Sequence, residues 1–322
     1  MNDSPEYHFG FRTEGRDAER KLTDWQTAFM AHVEADPRAM TAGECFLSHF
    51  MFPDEFQTYL ETRGSTAGYT GPTWAEWLVF DIDVENDINE ALTQARRLAA
   101  WLVDTFKLDP DDLMIFYSGS KGFHVLIASS IWDGKPAENF HEYARRFAER
   151  LATDAGVKID SGIYARVNLL RAPNSRHKKT GRFKVELTYD ELMKLKPEAI
   201  FAIAAEPREG WIPDTPEQNT EAALLWSQTV QAVEREKREQ AEKRSAPGTA
   251  KLNPTTRAVL VEGSFLGDRH RELFSAAANF AEFSSVEELA FALLTPCGLN
   301  SGLTASDVQR QIACGLQHGG RK

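Results

Sequence analysis

An α/β or α+β domain followed by a small helical domain is the architecture this sequence predicts, on three observations. Strand-like apolar runs alternate with amphipathic helical patterns over residues 74 to 190. Residues 251 to 322 hold helical patterns and no convincing strand. A proline-containing connector and a charged helical stretch separate the two regions. The length of 322 residues agrees with two domains, at a prior of about 150 residues each.

Each element has its own pattern. The first 70 residues read as mostly helical with turns, because Leu22, Trp25, Phe29 and Val33 recur at helical spacing. The stretch GSTAGYTGP, residues 64 to 72, is a glycine-rich break. Trp74 to Val84 is a short apolar run that predicts a buried strand. Leu92, Ala95, Ala99, Leu102 and Phe106 then fall on one helical face. LMIFYSGSKGFHVLIAS reads as strand, tight turn, strand. Phe140, Tyr143, Phe147 and Leu151 mark a second amphipathic helix. VKID, 157 to 160, is a candidate short strand, and TGRFKVEL a turn leading into another.

After Leu195 comes PREGWIPDTPEQN, a connector with three prolines. Residues 221 to 244 read as a helix ending in the alternating charge of EREKREQAEKR, a solvated linker. SAPGTA is a flexible break. RELFSAAANFA, SVEELAFALLT and ASDVQRQIACGL are three short helices. The division expected is therefore 1–215, a linker over 216–250, and 251–322.

Composition narrows the function. Hydrophobic residues at 42 % and aromatics at 11 % supply a core and exclude a mainly disordered chain. Lys and Arg number 37 against 48 Asp and Glu, a net charge of -11. That argues against a strongly basic, non-specific nucleic-acid binder and leaves room for a local basic patch. Cys45, Cys297 and Cys314 form no CxxC and no disulfide framework, which suits a reducing cytoplasm. The polar N-terminus does not resemble a signal peptide, and no run approaches the ~18 apolar residues of a membrane span. A soluble cytoplasmic protein without a membrane partner is expected.

Three constellations carry chemistry. In the first, Asp81 and Asp83 share one face of the expected strand, while Phe80, Ile82 and Val84 take the other. Paired carboxylates in apolar company are costly unless paired or bound to a hard divalent cation; the plainer alternative is two solvated acids at a strand end. The second is Ser118-Gly119-Ser120-Lys121-Gly122-Phe123-His124. Its glycines allow close backbone approach, Ser118 offers a hydroxyl, Lys121 a charge, and turn amides an anion nest suited to a triphosphate. An ordinary hairpin with a structural His124 is the alternative, and the pattern is not a Walker A loop. The third is Asp160 followed by NLLRAPNSRHKKTGRFKVEL, with six Lys or Arg and no acid from Arg171 to Lys184. Arg171, His177 and Lys179 are candidates to hold phosphates, with Asn174 and Ser175 as neutral donors; otherwise this is a solvated basic loop.

In order and spacing, the three resemble the motifs of the archaeo-eukaryotic primase superfamily, above all the primase-polymerases of plasmids and phages. FDID resembles the first motif, SGSKGFH the second, and KIDSGIYARVNLLRAPNSRHKKTGR the third, over about residues 70 to 200. The resemblance implies an α+β catalytic domain with a mixed sheet and flanking helices, followed by the family's small all-α domain. It implies that Asp81, Asp83 and Asp160 are catalytic and bind two Mg²⁺ or Mn²⁺ ions. Ser118, Lys121, Gly122, His124, Arg171, Ser175, His177 and Lys179 would contact the incoming nucleotide. Lys121 or Ser120 stands where the family often has Arg, which removes a bidentate fork.

A zinc-binding insertion is not expected, since no second Cys or His pair accompanies Cys45 and His49, whose spacing suits a helix; core packing is the reading for both. The implied partners are a single-stranded DNA template, NTP or dNTP, and a replicative helicase, in a bacterial, archaeal or phage-infected cell. Trp132, Tyr164 and Phe183 lie near the motifs as candidates for base stacking or for the core. Residues 251 to 322 balance seven basic against seven acidic residues, with Arg269, His270 and Arg271 the best basic cluster. The expected function is a DNA primase or primase-polymerase. The alternatives are a repair or end-joining polymerase of the same fold, and a non-catalytic replication initiator that binds single strands.

Overall fold

The structure is a computed structural model that describes residues 7–15, 18–39, 43–245, 251–263, 267–283 and 287–320. Of the break read at SAPGTA, residues 245–250, all but Ser245 lie outside the described residues. The chain forms two compact units, Met1–Val233 and Glu234–Lys322.

The first unit is built on two four-stranded antiparallel sheets. One has the order β2-β1-β3-β7, from β1 (Phe9–Glu14), β2 (Lys21–Asp24), β3 (Cys45–Ser48) and β7 (Leu169–Arg171). The other has the order β4-β6-β5-β8, from β4 (Trp77–Asp83), β5 (Met114–Tyr117), β6 (Gly122–Ala128) and β8 (Val185–Leu187). The mixed sheet expected from the resemblance is not formed by the described strands, whose pairs are all antiparallel. The reason lies in β5 and β6. Their tight turn lets β6 fold back into the place beside β4, so β4 and β5 run the same way without touching as neighbours.

The N-terminal region is also corrected. It holds α1 (Trp25–Val33) and α2 (Asp54–Arg63), but three of the first sheet's four strands as well. Leu22 belongs to β2, while Trp25, Phe29 and Val33 form the buried face of α1. Cys45 lies on a strand, not a helix, so its spacing from His49 is not one helical turn; both are buried. VKID forms no strand and runs into a single 3-10 turn, Ser161–Tyr164.

Helix α3 (Ile88–Phe106) starts at Asp87, whose side chain accepts the Glu90 N–H, and buries Leu92, Ala95, Leu98, Ala99, Leu102 and Phe106. It packs on β4 and β6, and α4 (Phe140–Asp154) packs on β4. Each large side chain so buried contributes about 1.5–3 kcal/mol. Trp77, Val79 and Lys184 meet Leu47, Ser48 and Leu170 around a small cavity, so the two sheets share one core. Short helices α5 (Tyr189–Lys194) and α6 (Pro197–Ile203) follow β8.

The unit extends past residue 215, to Val233, because the front of α7 (Thr220–Ser245) is not solvated. Ala222, Trp226 and Val233 are buried, and Trp226 packs on Trp132, Phe140 and Phe147. The second unit contains α8 (Pro254–Glu262), α9 (Arg269–Ala281), α10 (Glu287–Asn300) and α11 (Ala305–Gly320) around a separate core that includes Leu273, Phe280, Leu294 and Ile312. α8, capped by Asn253, adds a fourth helix to the three that the sequence pattern shows. A side chain at Gly315 or Gly319 of α11 would overlap the carbonyls of Phe274 and Ala278, so these glycines let α9 and α11 pack closely. No helix among the described residues is long and apolar enough to cross a membrane.

Two core histidines give the fold an acid dependence. His32 Nδ1–H donates to the Pro173 carbonyl at 3.0 Å, and His49 Nδ1–H to that of Ile163 at 2.9 Å. Burial lowers each from the ordinary 6.5 to about 4. Between those values the unfolded chain binds protons that the folded chain refuses, so acidification favours unfolding. His49→Phe is expected to remove one such load. In denaturant titrations its stability relative to wild type should rise by about 2 kcal/mol from pH 7.5 to 4.5. A difference that stays constant over this range would refute a neutral buried His49.

Candidate active site

Strand alternation puts Trp77, Val79, Asp81 and Asp83 on one face of β4. The antiparallel register sets His124 of β6 opposite Asp81, and Gly122 opposite Asp83. The turn between β5 and β6 is tied inward. Tyr117 Oη donates to the Ser120 carbonyl at 2.8 Å, and Gly122 N–H donates to Ser118 Oγ at 3.2 Å. Gly119 takes φ +84°, a left-handed conformation that favours glycine. Lys121, at the end of the turn, reaches Asp83 Oδ2 at 3.2 Å.

Asp160 comes to the same place by backbone pairing. Its N–H donates to the Asp81 carbonyl at 2.8 Å, and its Oδ1 accepts the Gly162 N–H at 2.8 Å. Tyr164 Oη donates to the Val79 carbonyl at 2.6 Å, fixing the turn after Asp160 against β4. Arg171 arrives on β7. It pairs with Glu44 Oε1 at 2.9 Å and lies 4.8 Å over the Phe46 ring. His177 Nδ1 accepts the Thr180 N–H at 3.2 Å, which leaves Nε2–H as the donor of a neutral ring. Burial, then the Arg171 charge, lower its pKa.

Asp81, Asp83, Ser118, Lys121, His124, Asp160, Arg171 and His177 line one cavity of about 460 Å³. Three residues expected in the nucleotide pocket are not on its wall. Gly122 is buried in the β4–β6 ladder. Ser175 is fully buried, and its hydroxyl is shared between the carbonyls of Ala172 (2.9 Å) and Cys45 (3.1 Å). Lys179 is exposed outside the cavity. Asn174 is likewise internal: its amide donates to the carbonyls of His32, Val33 and Arg208. The reason is local geometry. Asn174 has φ +53°, and that left-handed residue turns it and Ser175 into the core. Trp132, Tyr164 and Phe183 are core residues.

Burial and charge set the protonation of the site. Asp81 is pushed up to about 7, first by burial and then by the charges of Asp83 and Asp160. Its Oδ1 is buried with no hydrogen-bond partner and stands 3.4 Å from His124 Nε2. His124 is held neutral, well below its ordinary range, by burial and by the Lys184 and Arg171 charges. The pair is therefore a neutral imidazole facing an acid and not a salt bridge.

Lys184 joins the site although the motifs do not mark it. It is 4 % exposed, donates to the Arg171 carbonyl at 2.9 Å and lies 4.8 Å over the Phe116 ring. Burial lowers it to about 7 against the raising effect of Asp81. A lysine between Phe183 and Val185, in a segment expected to enter a strand, was the available signal. Asn168, Glu44 and Phe46 also support the site.

The donor set suits a divalent cation. Three carboxylates face one cavity, and the buried, unpartnered Asp81 Oδ1 is the kind of hard oxygen that Mg²⁺ or Mn²⁺ takes. In the arrangement seen, Lys121 occupies Asp83 and the Gly162 N–H occupies Asp160. Among the described residues no group of three His, Cys, Asp or Glu side chains closes into a ready ligand shell. In the second unit, Arg271 pairs with Asp268 and Arg269 donates to the Ser301 carbonyl. Compared with models of protein families and with curated protein sequences, the chain matches none.

Proposed function

We propose that the chain is a template-dependent nucleotidyltransferase: a DNA primase that also extends what it starts. The observation that carries this reading is the cavity itself. Side chains from three separated segments line it together: the acids Asp81, Asp83 and Asp160 and the basic or donor groups Lys121, Arg171 and His177. Such a combination suits a nucleoside triphosphate, with reacting oxygens at the acids and polyphosphate at the cations.

In the reaction, the 3′-oxygen of one nucleotide attacks the α-phosphorus of the next. The new phosphoester forms as the α–β anhydride bond breaks and pyrophosphate leaves. Divalent cations held by Asp81, Asp83 and Asp160 would supply hydroxyl activation and neutralise the leaving group. Lys121 and Arg171 bring positive charge to the phosphates, and His177 offers its Nε2–H. Ser118 orders the turn by accepting the Gly122 N–H. His124 packs against Asp81 and, being neutral, adds no charge there.

The test is synthesis without a primer. The protein is incubated with single-stranded DNA, labelled nucleotides and Mg²⁺ or Mn²⁺. Short products are expected. Extension of a supplied primer with no synthesis in its absence would assign a polymerase that does not initiate. Strand binding with no incorporation under either condition would replace the enzyme by a binding protein.

A further inference from the structure

We propose that the hairpin of residues 176–183 presents a clamp for the phosphodiester backbone of a single nucleic-acid strand, distinct from the nucleotide pocket it borders. The proposal rests on the nucleotidyltransferase reading and locates the strand that such a reaction needs.

The hairpin is stiff. Arg176 bridges Phe183, His177 N–H donates to the Arg182 carbonyl at 2.7 Å, and Gly181 N–H donates to that of His177 at 2.9 Å. Thr180 Oγ1 donates to the Gly119 carbonyl at 2.6 Å, which joins the hairpin to the turn carrying Ser118 and Lys121. Phe183 N–H is fixed to the Ala204 carbonyl at 2.8 Å. The backbone that carries these cations is thus ordered before a ligand arrives, and only their side chains have freedom left to lose.

The outer face is basic. Arg176, Lys178 and Lys179 are exposed, and Arg182 stacks 3.9 Å over Phe201. Among the described residues no carboxylate forms an ion pair with any of these four. The nearby Glu44 is already engaged by Arg171 and by the Lys178 backbone N–H. Four Lys or Arg and no acid over residues 176–183 concentrate positive charge here, in a chain of net charge -11.

Position separates this surface from the nucleotide. His177 lines the catalytic cavity, whereas Arg176, Lys178 and Lys179 do not. Arg176, His177 and Lys178 line a second, wider hollow of about 750 Å³, whose wall also carries Glu14 and the Arg171-paired Glu44. His177 is thus a wall common to both. A single triphosphate in the first cavity leaves the outer cations without a partner. A strand whose end lies at the acids continues past His177, and its successive phosphates meet those cations.

The experiment is fluorescence anisotropy of a labelled single-stranded oligothymidylate, without nucleotide or metal, across a salt series. The variant is Lys178→Gln with Lys179→Gln, since neither side chain supports the fold. Affinity at low salt should fall about tenfold. The slope of log affinity against log salt should shrink by about 1.4, at roughly 0.7 per lost contact. Binding of Mn²⁺-nucleotide should stay within twofold of wild type, and the melting temperature should not move.

An unchanged affinity and slope, with the wild type still binding the strand, overturns the clamp and leaves the enzymatic reading intact. Polyglutamate competing as well as an oligonucleotide of equal charge also overturns it. A wild-type protein that neither binds the strand nor incorporates nucleotides removes the underlying reading.

Discussion

Replacing Asp81 and Asp83 together by asparagine is expected to lower nucleotide incorporation at least about a thousandfold, the scale on which losing one preorganised charge is felt. Both carboxylates face the cavity from the same side of β4, and neither can be replaced by a neighbour, because the adjacent Phe80 and Ile82 point to the other face. The fold should survive. Asp81 is an unfavourable buried anion: its pKa is raised to about 7 by burial and by two other acids, so losing the charge relieves strain in the metal-free chain. The melting temperature in a chelating buffer should therefore be no lower than wild type's. Full incorporation by the double variant would show that the catalytic centre lies elsewhere. Loss of activity accompanied by a fall in melting temperature would mark these acids as structural.

Gly122→Ala is expected to damage both stability and activity, although the added group is one methyl. A Cβ at this position would overlap the Ile82 carbonyl oxygen and the Asp83 carboxylate. Neither can give way easily. The carbonyl belongs to β4, which is paired to β6 from Trp77 to Asp83, and the carboxylate is engaged by Lys121. Overpacking of this kind costs about 1–3 kcal/mol. The register at the end of β6 shifts, Asp83 leaves its place, and the Gly122 N–H to Ser118 Oγ bond that shapes the turn is lost. Incorporation should drop at least about tenfold, since small misplacements of a reacting group have large effects. Urea unfolding and primer extension on the same preparation check both claims. A variant indistinguishable from wild type in each would show that the strand end relaxes freely.

The parts of the molecule that could be read in advance are those with a local cause. Asp81 and Asp83 share a face because a strand alternates, and that needs no knowledge of the rest of the chain. Helices α3 and α4 announce themselves by periodicity over 19 and 15 residues. The β5–β6 hairpin follows from glycines between two apolar runs. Lys121, His124 and Asp160 stand out by motif and chemistry, and each lines the cavity.

What escaped has a non-local cause. β3 and β7 contain four and three residues, too few to display a period, and they exist because each pairs with the other across more than a hundred positions of chain. That pairing carries Arg171 to the cavity. The same holds within the basic segment, where irregular turns rather than a repeat decide direction. Asn174 and Ser175 turn inward to bind backbone carbonyls, His177 faces the cavity, Lys179 faces solvent, and Lys184 is buried beneath Arg171. The sequence by itself determined the chemical inventory of the site and the face of β4 that bears its acids. Only the tertiary structure decided which members of that inventory converge, because convergence depends on pairings between distant short strands that no local pattern encodes.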